Sequence, residues 1–114
     1  MASKKSELII KYQKDLQEKF NVNPDMDLLQ KVTDGLGPSI YNRDSSTVSG
    51  SDSKELERVK NNFLIKKLGL TEGPGLMEAI NEVIIQYGTS VRTKYRAVVY
   101  YQLTRHFSKE SVYA

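Results

Sequence analysis

Apolar residues recur every three or four positions through most of the chain, which is the spacing of one face of an α-helix. A first helix is predicted over about Ser3–Phe20, with polar residues between its apolar positions. A short second helix is predicted to follow, with Asn23 as its N-cap, Pro24 at the first helical position and Asp25 favouring the helix dipole. Gly35 is expected to end this helix in the left-handed conformation.

Two further helices are predicted in the middle of the chain. The third begins at Asp52–Glu55, which has the capping-box pattern in which each side chain binds the other residue's backbone amide. It is predicted to end at Gly69 in the left-handed conformation. The fourth helix is predicted to begin at Thr71 or Gly73, with Pro74 in its first turn, and to end at Gly88.

The last helix is predicted to run from about Val91 to Phe107, with Thr89 or Ser90 as its cap. The segment Ala97–Tyr101 is β-branched and aromatic, which favours a strand, but the length of the whole element favours a helix. Its apolar residues point in every direction around a helix axis, which is typical of a buried helix. We therefore expect this helix to be central and buried, with the other helices packed around it.

The sequence shows no internal repeat and no hairpin turn, so it predicts an all-α fold, a compact bundle of four long helices and one short helix. A length of 114 residues suits a single helical domain over residues 1–114. The segment 37–41 is expected to form one further turn. Residues 42–53 are almost entirely polar, and because connections of this length are uncommon in compact domains, we predict a mobile polar loop there.

Composition excludes several classes of protein. Cysteine is absent, which removes disulfides, thiolate catalysis and thiolate metal sites together. No segment approaches the roughly 20 apolar residues of a membrane span. The apolar run at 8–10 is too short for the core of a signal peptide. We therefore expect a cytoplasmic protein without a membrane partner.

The motifs that could carry catalysis or metal binding fail on inspection. The segment 44–55 has the length of a calcium loop, but Ser49 stands where such a loop requires glycine. Residues 35–38 lack the ending of a phosphate loop, and Pro38 removes an amide donor. His106, the single histidine, is expected to be partly buried and favoured by the helix C-terminus. We predict no enzymatic activity, no cofactor and no bound metal.

Five stretches of the sequence resemble a known family. They are Pro-Asp-Met-Asp-Leu-Leu at 24–29, Gly-Pro-Ser-Ile-Tyr-Asn at 37–42, Thr-Val-Ser-Gly-Ser-Asp at 47–52, Asn-Asn-Phe-Leu-Ile-Lys-Lys-Leu-Gly-Leu at 61–70 and Lys-Tyr-Arg-Ala-Val-Val-Tyr-Tyr at 94–101. Together they are similar to a small bacterial family known as domain of unknown function 2853. The resemblance covers nearly the whole chain and implies a bacterial, free-standing single-domain protein. It implies no activity, cofactor or catalytic residue.

Charge is unevenly distributed along the chain. The first 57 residues hold ten acidic and eight basic residues, whereas the remaining residues hold four acidic and nine basic ones. Such asymmetry can orient an encounter with an anionic partner. It also arises when an acidic half of a fold packs against a basic half.

The predicted start of the last helix is a candidate anion-binding site, formed by Thr89, Ser90, Arg92, Lys94 and Arg96. Cations in a first helical turn oppose the helix dipole, so local helix energetics does not explain them. With free backbone amides they would bind a phosphate or carboxylate, clamped by Arg92 or Arg96, and Lys94 would act only through its field. The alternative is that these cations pair with carboxylates of the acidic N-terminal half and serve the fold.

Nucleic acid is an alternative ligand of the basic C-terminal half. It would use the same site together with further cations and would stack its bases on tyrosine rings. Those residues are Arg58, Lys60, Lys66, Lys67, Tyr100 and Tyr101. The net charge of +3 is low for a nucleic-acid-binding domain, so the support is weak.

Tyrosine content indicates a second surface. Five of the seven tyrosines follow Ile85, and tyrosine is enriched at protein interfaces. The candidate interaction surface combines the polar loop with the last helix, in Asn42, Arg43, Asp44, Tyr100 and Tyr101. The leading hypothesis is a non-catalytic interaction module whose partner is another protein or a second copy of this chain. The alternative is an anion or nucleic-acid binder.

Overall fold

The computed structural model describes residues 4–42 and 45–113. The α-helices in that part of the chain are α1 Lys4–Lys19, α2 Met26–Leu36, α3 Ser53–Arg58, α4 Pro74–Tyr87 and α5 Arg96–His106. α3 continues directly as a π-helix over Val59–Ile65, and short 3-10 turns occupy Gly37–Tyr41 and Glu110–Tyr113. The two described ranges contain no β-strand, and the predicted all-α fold is confirmed.

α5 is the buried centre of the bundle, as predicted. Its buried residues are Ala97, Val98, Val99, Tyr100, Tyr101, Leu103 and Thr104. The helix packs against α1, α2 and α4. Because its apolar side chains point to all sides, each neighbouring helix finds an apolar surface on which to bury its own stripe.

The start of α2 differs from its prediction. The N-cap is Asp25 rather than Asn23, and the Asp25 carboxylate accepts hydrogen bonds from the amides of Asp27 at 3.0 Å and Leu28 at 3.3 Å. Pro24 therefore lies before the helix and not at its first position. One carboxylate oxygen that satisfies two of the free amides of a helix start is enough to fix the boundary there.

Three glycines with a positive φ lie at or just beyond helix ends: Gly37 after α2, Gly69 after the π-helix and, as predicted, Gly88 after α4. Gly37 ends α2 with a φ of 63°, so the prediction that Gly35 ends it is wrong. Gly35 stays inside the helix, where the ring of Tyr113 packs close to its Cα. Gly69 has a φ of 74°, as predicted. The backbone amide of the next residue, Leu70, donates a hydrogen bond to the Leu64 carbonyl of the π-helix at 3.0 Å.

Only one of the two side-chain interactions of the predicted capping box forms at the start of α3. Asp52 is the N-cap and accepts from the amides of Lys54 at 3.0 Å and Glu55 at 3.4 Å. The Asp52 amide, however, donates to the Ser49 carbonyl at 3.3 Å instead of to Glu55. The Glu55 carboxylate binds Arg96 of α5, since a buried guanidinium is a stronger partner than a nearby amide.

α5 begins at Arg96 rather than at Val91, so the predicted N-cap at Thr89 or Ser90 is wrong. The segment before the helix is extended and pairs through its backbone with residues 46–48. Because these backbone groups find partners in a distant part of the chain, they do not need helical hydrogen bonds.

The hydroxyl groups of Tyr87 and Tyr12 differ in their hydrogen bonding. The Tyr87 hydroxyl donates to the Asp15 carboxylate and accepts from the Tyr95 amide at 3.2 Å. The Tyr12 hydroxyl is buried and has no hydrogen-bond partner within the described residues. Of the two hydroxyls, only that of Tyr87 is expected to stabilise the fold at neutral pH.

The Tyr12→Phe variant tests this difference through pH. Burial raises the pKa of Tyr12 to about 12, and neighbouring Tyr95 and Tyr41 add to the rise. The neutral hydroxyl is thus favoured in the folded state, whereas the unfolded chain ionises near pH 10. The resulting stability is complete below pH 10 and is lost as the pH rises through 12. Between pH 10 and pH 12 the free energy of unfolding of the variant should therefore fall by about 2 kcal/mol less than that of the wild type. Urea unfolding at the two pH values measures the difference.

At pH 7 the same variant should be as stable as the wild type or more stable, because it removes a buried hydroxyl without a partner. Tyr87→Phe is the matched control, and it should lose about 1–2 kcal/mol because its hydroxyl makes two hydrogen bonds. Equal losses for the two variants at pH 7 would show that the Tyr12 hydroxyl is satisfied.

Candidate anion-binding cleft

Two loops are held together beside the start of α5. They are residues 45–52, which precede α3, and residues 88–95, which join α4 to α5. The amide of Val48 in the first loop donates to the carbonyl of Lys94 in the second at 2.8 Å. This antiparallel pairing fixes the position of each loop against the other.

The side chain of Arg96 anchors the 45–52 loop. Its guanidinium donates to the carbonyls of Ser45 at 2.8 Å and Thr47 at 3.1 Å. It also forms an ion pair with Glu55, and both side chains of this pair are mostly buried. The predicted role of Arg96 as an anion clamp is therefore corrected, because a carboxylate and two carbonyls of the protein already engage it.

A cavity of about 320 Å³ opens between the two loops. Its lining residues are Ser49, Gly50 and Ser51 of the first loop, Thr89, Val91, Arg92 and Lys94 of the second, and Ile84 of α4. We name this cavity the Lys94 cleft. It combines hydroxyl and cationic side chains with a small apolar wall formed by Ile84 and Val91.

Lys94 is the most unusual residue of the cleft. Only 5% of its surface is exposed, and its Nζ donates to the Val91 carbonyl at 2.6 Å. Within residues 4–42 and 45–113, no carboxylate forms an ion pair with it. An ammonium group has three donors, and burying it without an opposite charge is costly. Two donors of Lys94 are therefore left for a ligand.

Gly50 brings the first loop close to Lys94. A Cβ atom at this position would lie 2.7 Å from Cγ2 of Ile84 and 3.5 Å from Cε of Lys94. The first distance is too short for any real side chain, so a larger residue would push the loop away from α4. The narrow form of the cleft thus depends on the glycine.

Arg92 links the cleft to a second cavity. It is exposed, and it also lines a neighbouring space of about 340 Å³. The other lining residues of that space are Thr47, Val48, Ser49, Asp52 and Glu55. Since Ser49 and Arg92 line both cavities, the two adjoin.

The residues predicted to bind an anion separate into two groups. Thr89, Arg92 and Lys94 lie together in the cleft, whereas Ser90 and Arg96 do not line it. The two loops bring the first group together. The sequence predicted that the N-terminus of a helix would do so. Lys94, expected to act only through its field, is instead buried and faces the cavity.

Sequence reasoning missed the other side of the cleft. The sequence pattern places Ser49, Gly50 and Ser51 in a polar loop and gives neither them nor Ile84 a role in binding an anion. The one signal in the sequence is the run of small residues, which permits close approach of a backbone. Nothing local indicates that this run meets residues 89–94.

The two tyrosines of the predicted interaction surface are buried. Tyr100 and Tyr101 are 9% and 0% exposed, so neither ring is presented to a partner, and this part of the prediction is wrong. The physical reason is the central position of α5, which buries its aromatic residues. Asn42 is exposed, and Arg43 and Asp44 lie outside the described residues.

Three further observations concern the single histidine, the clusters of possible metal ligands and the lengths of the helices. His106, predicted to be partly buried, is exposed and contacts the ring of Phe107. In the described part of the chain, no group of three or more His, Cys, Asp or Glu side chains is arranged to hold a metal ion. No helix of the described ranges is long and apolar enough to cross a membrane.

Comparison with known protein families identifies the family of this chain. Residues 11–111 match a family described as Protein of unknown function (DUF2853). The chain belongs to this family. The DUF2853 match includes both loops of the Lys94 cleft and helices α2 to α5, and it confirms the resemblance seen in five stretches of the sequence. No curated protein matches the chain.

Proposed function

We propose that this DUF2853 protein binds a small oxyanion in the Lys94 cleft, with the charged group of the ligand against the Lys94 ammonium. The observation that carries the proposal is a buried ammonium group with one hydrogen bond, to Val91, and no ion pair within the described residues. Such a group destabilises the empty protein unless an opposite charge arrives. The anionic group of a ligand in the cleft would supply that charge.

The lining of the cleft favours a tetrahedral oxyanion, such as a phosphate group, over a carboxylate. Donors approach the cavity from both loops, through two cations and through hydroxyl groups. They are Arg92, Lys94, Thr89, Ser49 and Ser51. A phosphate group offers three oxygens in different directions and suits this arrangement better than a planar carboxylate with two. A cavity of about 320 Å³ also leaves space for a substituent.

We propose binding without catalysis. The described lining of the cleft supplies cations and hydroxyls, which hold an anion but do not accept a proton from a nucleophile. Glu55, in the neighbouring cavity, is held in ion pairs with Arg96 and Arg58. A carboxylate so engaged is poorly suited to act as a general base.

Protein interaction and nucleic-acid binding have less support than binding of a small anion. The tyrosines on which both hypotheses drew are buried. Among the additional cations, Lys60 pairs with Glu72 at 2.8 Å and Arg58 pairs with Glu55 at 3.3 Å. Part of the basic charge of the C-terminal half is therefore balanced within the protein.

Lys94→Met should weaken binding of inorganic phosphate by about tenfold to a hundredfold, because it removes a charge-assisted hydrogen bond. Methionine has a similar length and carries no charge, so the unliganded variant should be as stable as the wild type or more stable. Calorimetric titration with phosphate at low salt measures the first effect, and urea unfolding measures the second.

Lys66→Met is the matched control, because Lys66 is an exposed lysine that does not line the cleft. It should bind phosphate as the wild type does. A Lys94→Met variant that is less stable and retains phosphate affinity would show that this ammonium only serves the fold, and the proposal would fail.

A further inference from the structure

The cavity beside the Lys94 cleft extends the space for a ligand. It measures about 340 Å³, and we name it the Asp52 cavity after the carboxylate that lines it. Ser49 and Arg92 belong to both cavities. A ligand with its charged group at Lys94 can therefore continue past Arg92 into this second space.

Asp52 is an exposed carboxylate that lines this cavity. Its Oδ1 atom takes two backbone hydrogen bonds at the start of α3, from Lys54 at 3.0 Å and from Glu55 at 3.4 Å. Its Oδ2 atom takes none from the described part of the chain. An ionised carboxylate is only an acceptor, so a ligand group that meets Oδ2 must be a donor.

The balance of charge around Asp52 favours a neutral donor. Glu55 is shared between Arg96 and Arg58, and Arg92 lines the same space. Arg96 and Arg58 already offset the Glu55 carboxylate. Arg92 would repel a ligand ammonium group. A hydroxyl group donates to a carboxylate without bringing a charge.

We infer that the ligand is a phosphate monoester of a hydroxylated compound, such as a polyol or a sugar, with its phosphate at Lys94 and its hydroxyls at Asp52. This inference rests on the proposed function and adds the part of the ligand that the Asp52 cavity recognises. Ile84 and Val91 provide apolar contact for the carbon atoms of the ester.

Calorimetric titrations with three simple esters at equal ionic strength test the inference. Methyl phosphate carries no further donor, glycerol phosphate carries hydroxyl groups, and phosphoethanolamine carries an ammonium group. Glycerol phosphate is expected to bind about tenfold more tightly than either of the others, since one hydrogen bond to a charged acceptor has about that value.

Asp52→Asn is the matched variant, because asparagine caps a helix about as well as aspartate does. It places a donor where the Oδ2 acceptor stands. The variant should bind methyl phosphate at least as tightly as the wild type does, because a nearby negative charge is removed. It should lose most of the preference for glycerol phosphate, because a hydroxyl forms only a neutral hydrogen bond with the amide.

The outcomes separate this inference from the proposed function. Equal binding of the three esters, tighter binding of phosphoethanolamine, or a preference that survives Asp52→Asn would overturn the inference and leave the anion site at Lys94 standing. If neither the esters nor inorganic phosphate bind to the wild type, the proposed function fails and the inference fails with it.

Discussion

Arg96→Met is expected to lower the free energy of unfolding by about 3–5 kcal/mol. The Arg96 guanidinium is mostly buried and donates to the Glu55 carboxylate and to the Tyr100 hydroxyl at 3.1 Å. It also holds the carbonyls of Ser45 and Thr47. Methionine keeps the apolar stem but leaves the mostly buried Glu55 carboxylate with only the exposed Arg58 as its cation, which is the costly part. Urea unfolding followed by circular dichroism measures the loss.

Two further variants identify the cause of that loss. Arg58→Met removes only the exposed partner of Glu55 and should cost about 0.5 kcal/mol or less. The double variant with Glu55→Met should be more stable than Arg96→Met alone, because no unpaired charge remains. A loss below about 1 kcal/mol for Arg96→Met would mean that the ion pair does not anchor the 45–52 loop.

Tyr101→Ala is expected to cost about 3–5 kcal/mol, the usual range for truncating a buried aromatic side chain. Tyr101 is fully buried in α5, and its hydroxyl accepts from the amide of Asp25, the N-cap residue of α2, at 2.8 Å. The truncation leaves a cavity at the centre of the bundle and an amide without its partner. Tyr101→Phe keeps the ring and should lose only about 1–2 kcal/mol.

Tyr41→Ala is the control for this series. Tyr41 is 45% exposed, and its truncation should change stability by about 0.5 kcal/mol or less. If Tyr101→Ala cost as little as Tyr41→Ala, the Tyr101 ring would lie at the surface, as the sequence-based interaction hypothesis assumed. The unfolding free energies of these three variants thus decide between core and interface.

The helices could be predicted from the sequence because their signals are local. The apolar stripe of each helix, the cap at Asp52 and the left-handed glycine at Gly69 all depend on residues within a few positions of one another. The position of α5 could also be predicted, since apolar residues on all sides of a helix require a buried site.

The wrongly predicted start of α5 and the incomplete capping box of α3 depend on distant contacts. α5 begins at Arg96 because the preceding residues pair with the 46–48 segment, and the capping box fails because Glu55 meets Arg96. Each contact joins positions about 40–50 residues apart, and no periodicity in the sequence encodes it. A local reading therefore assigned Thr89 and Ser90 to a helix cap.

The candidate site was predictable in its residue types but not in its geometry. The excess of cations and the absence of acids near Lys94 indicated an anionic ligand. The burial of Lys94 and the approach of Gly50 appear only when the two loops are brought together. The opposite error concerned Arg96, which has the right chemistry for an anion but is engaged by Glu55.

The central claim is that an anion binds at Lys94, and amide shifts of the ¹⁵N-labelled protein during a phosphate titration test it most directly. The largest shifts should fall in residues 49–51 and 89–94 and follow one saturating curve. Lys94→Met should move this curve to phosphate concentrations about tenfold to a hundredfold higher. Shifts that do not saturate and that spread over exposed cations such as Lys66 and Arg105 would contradict it.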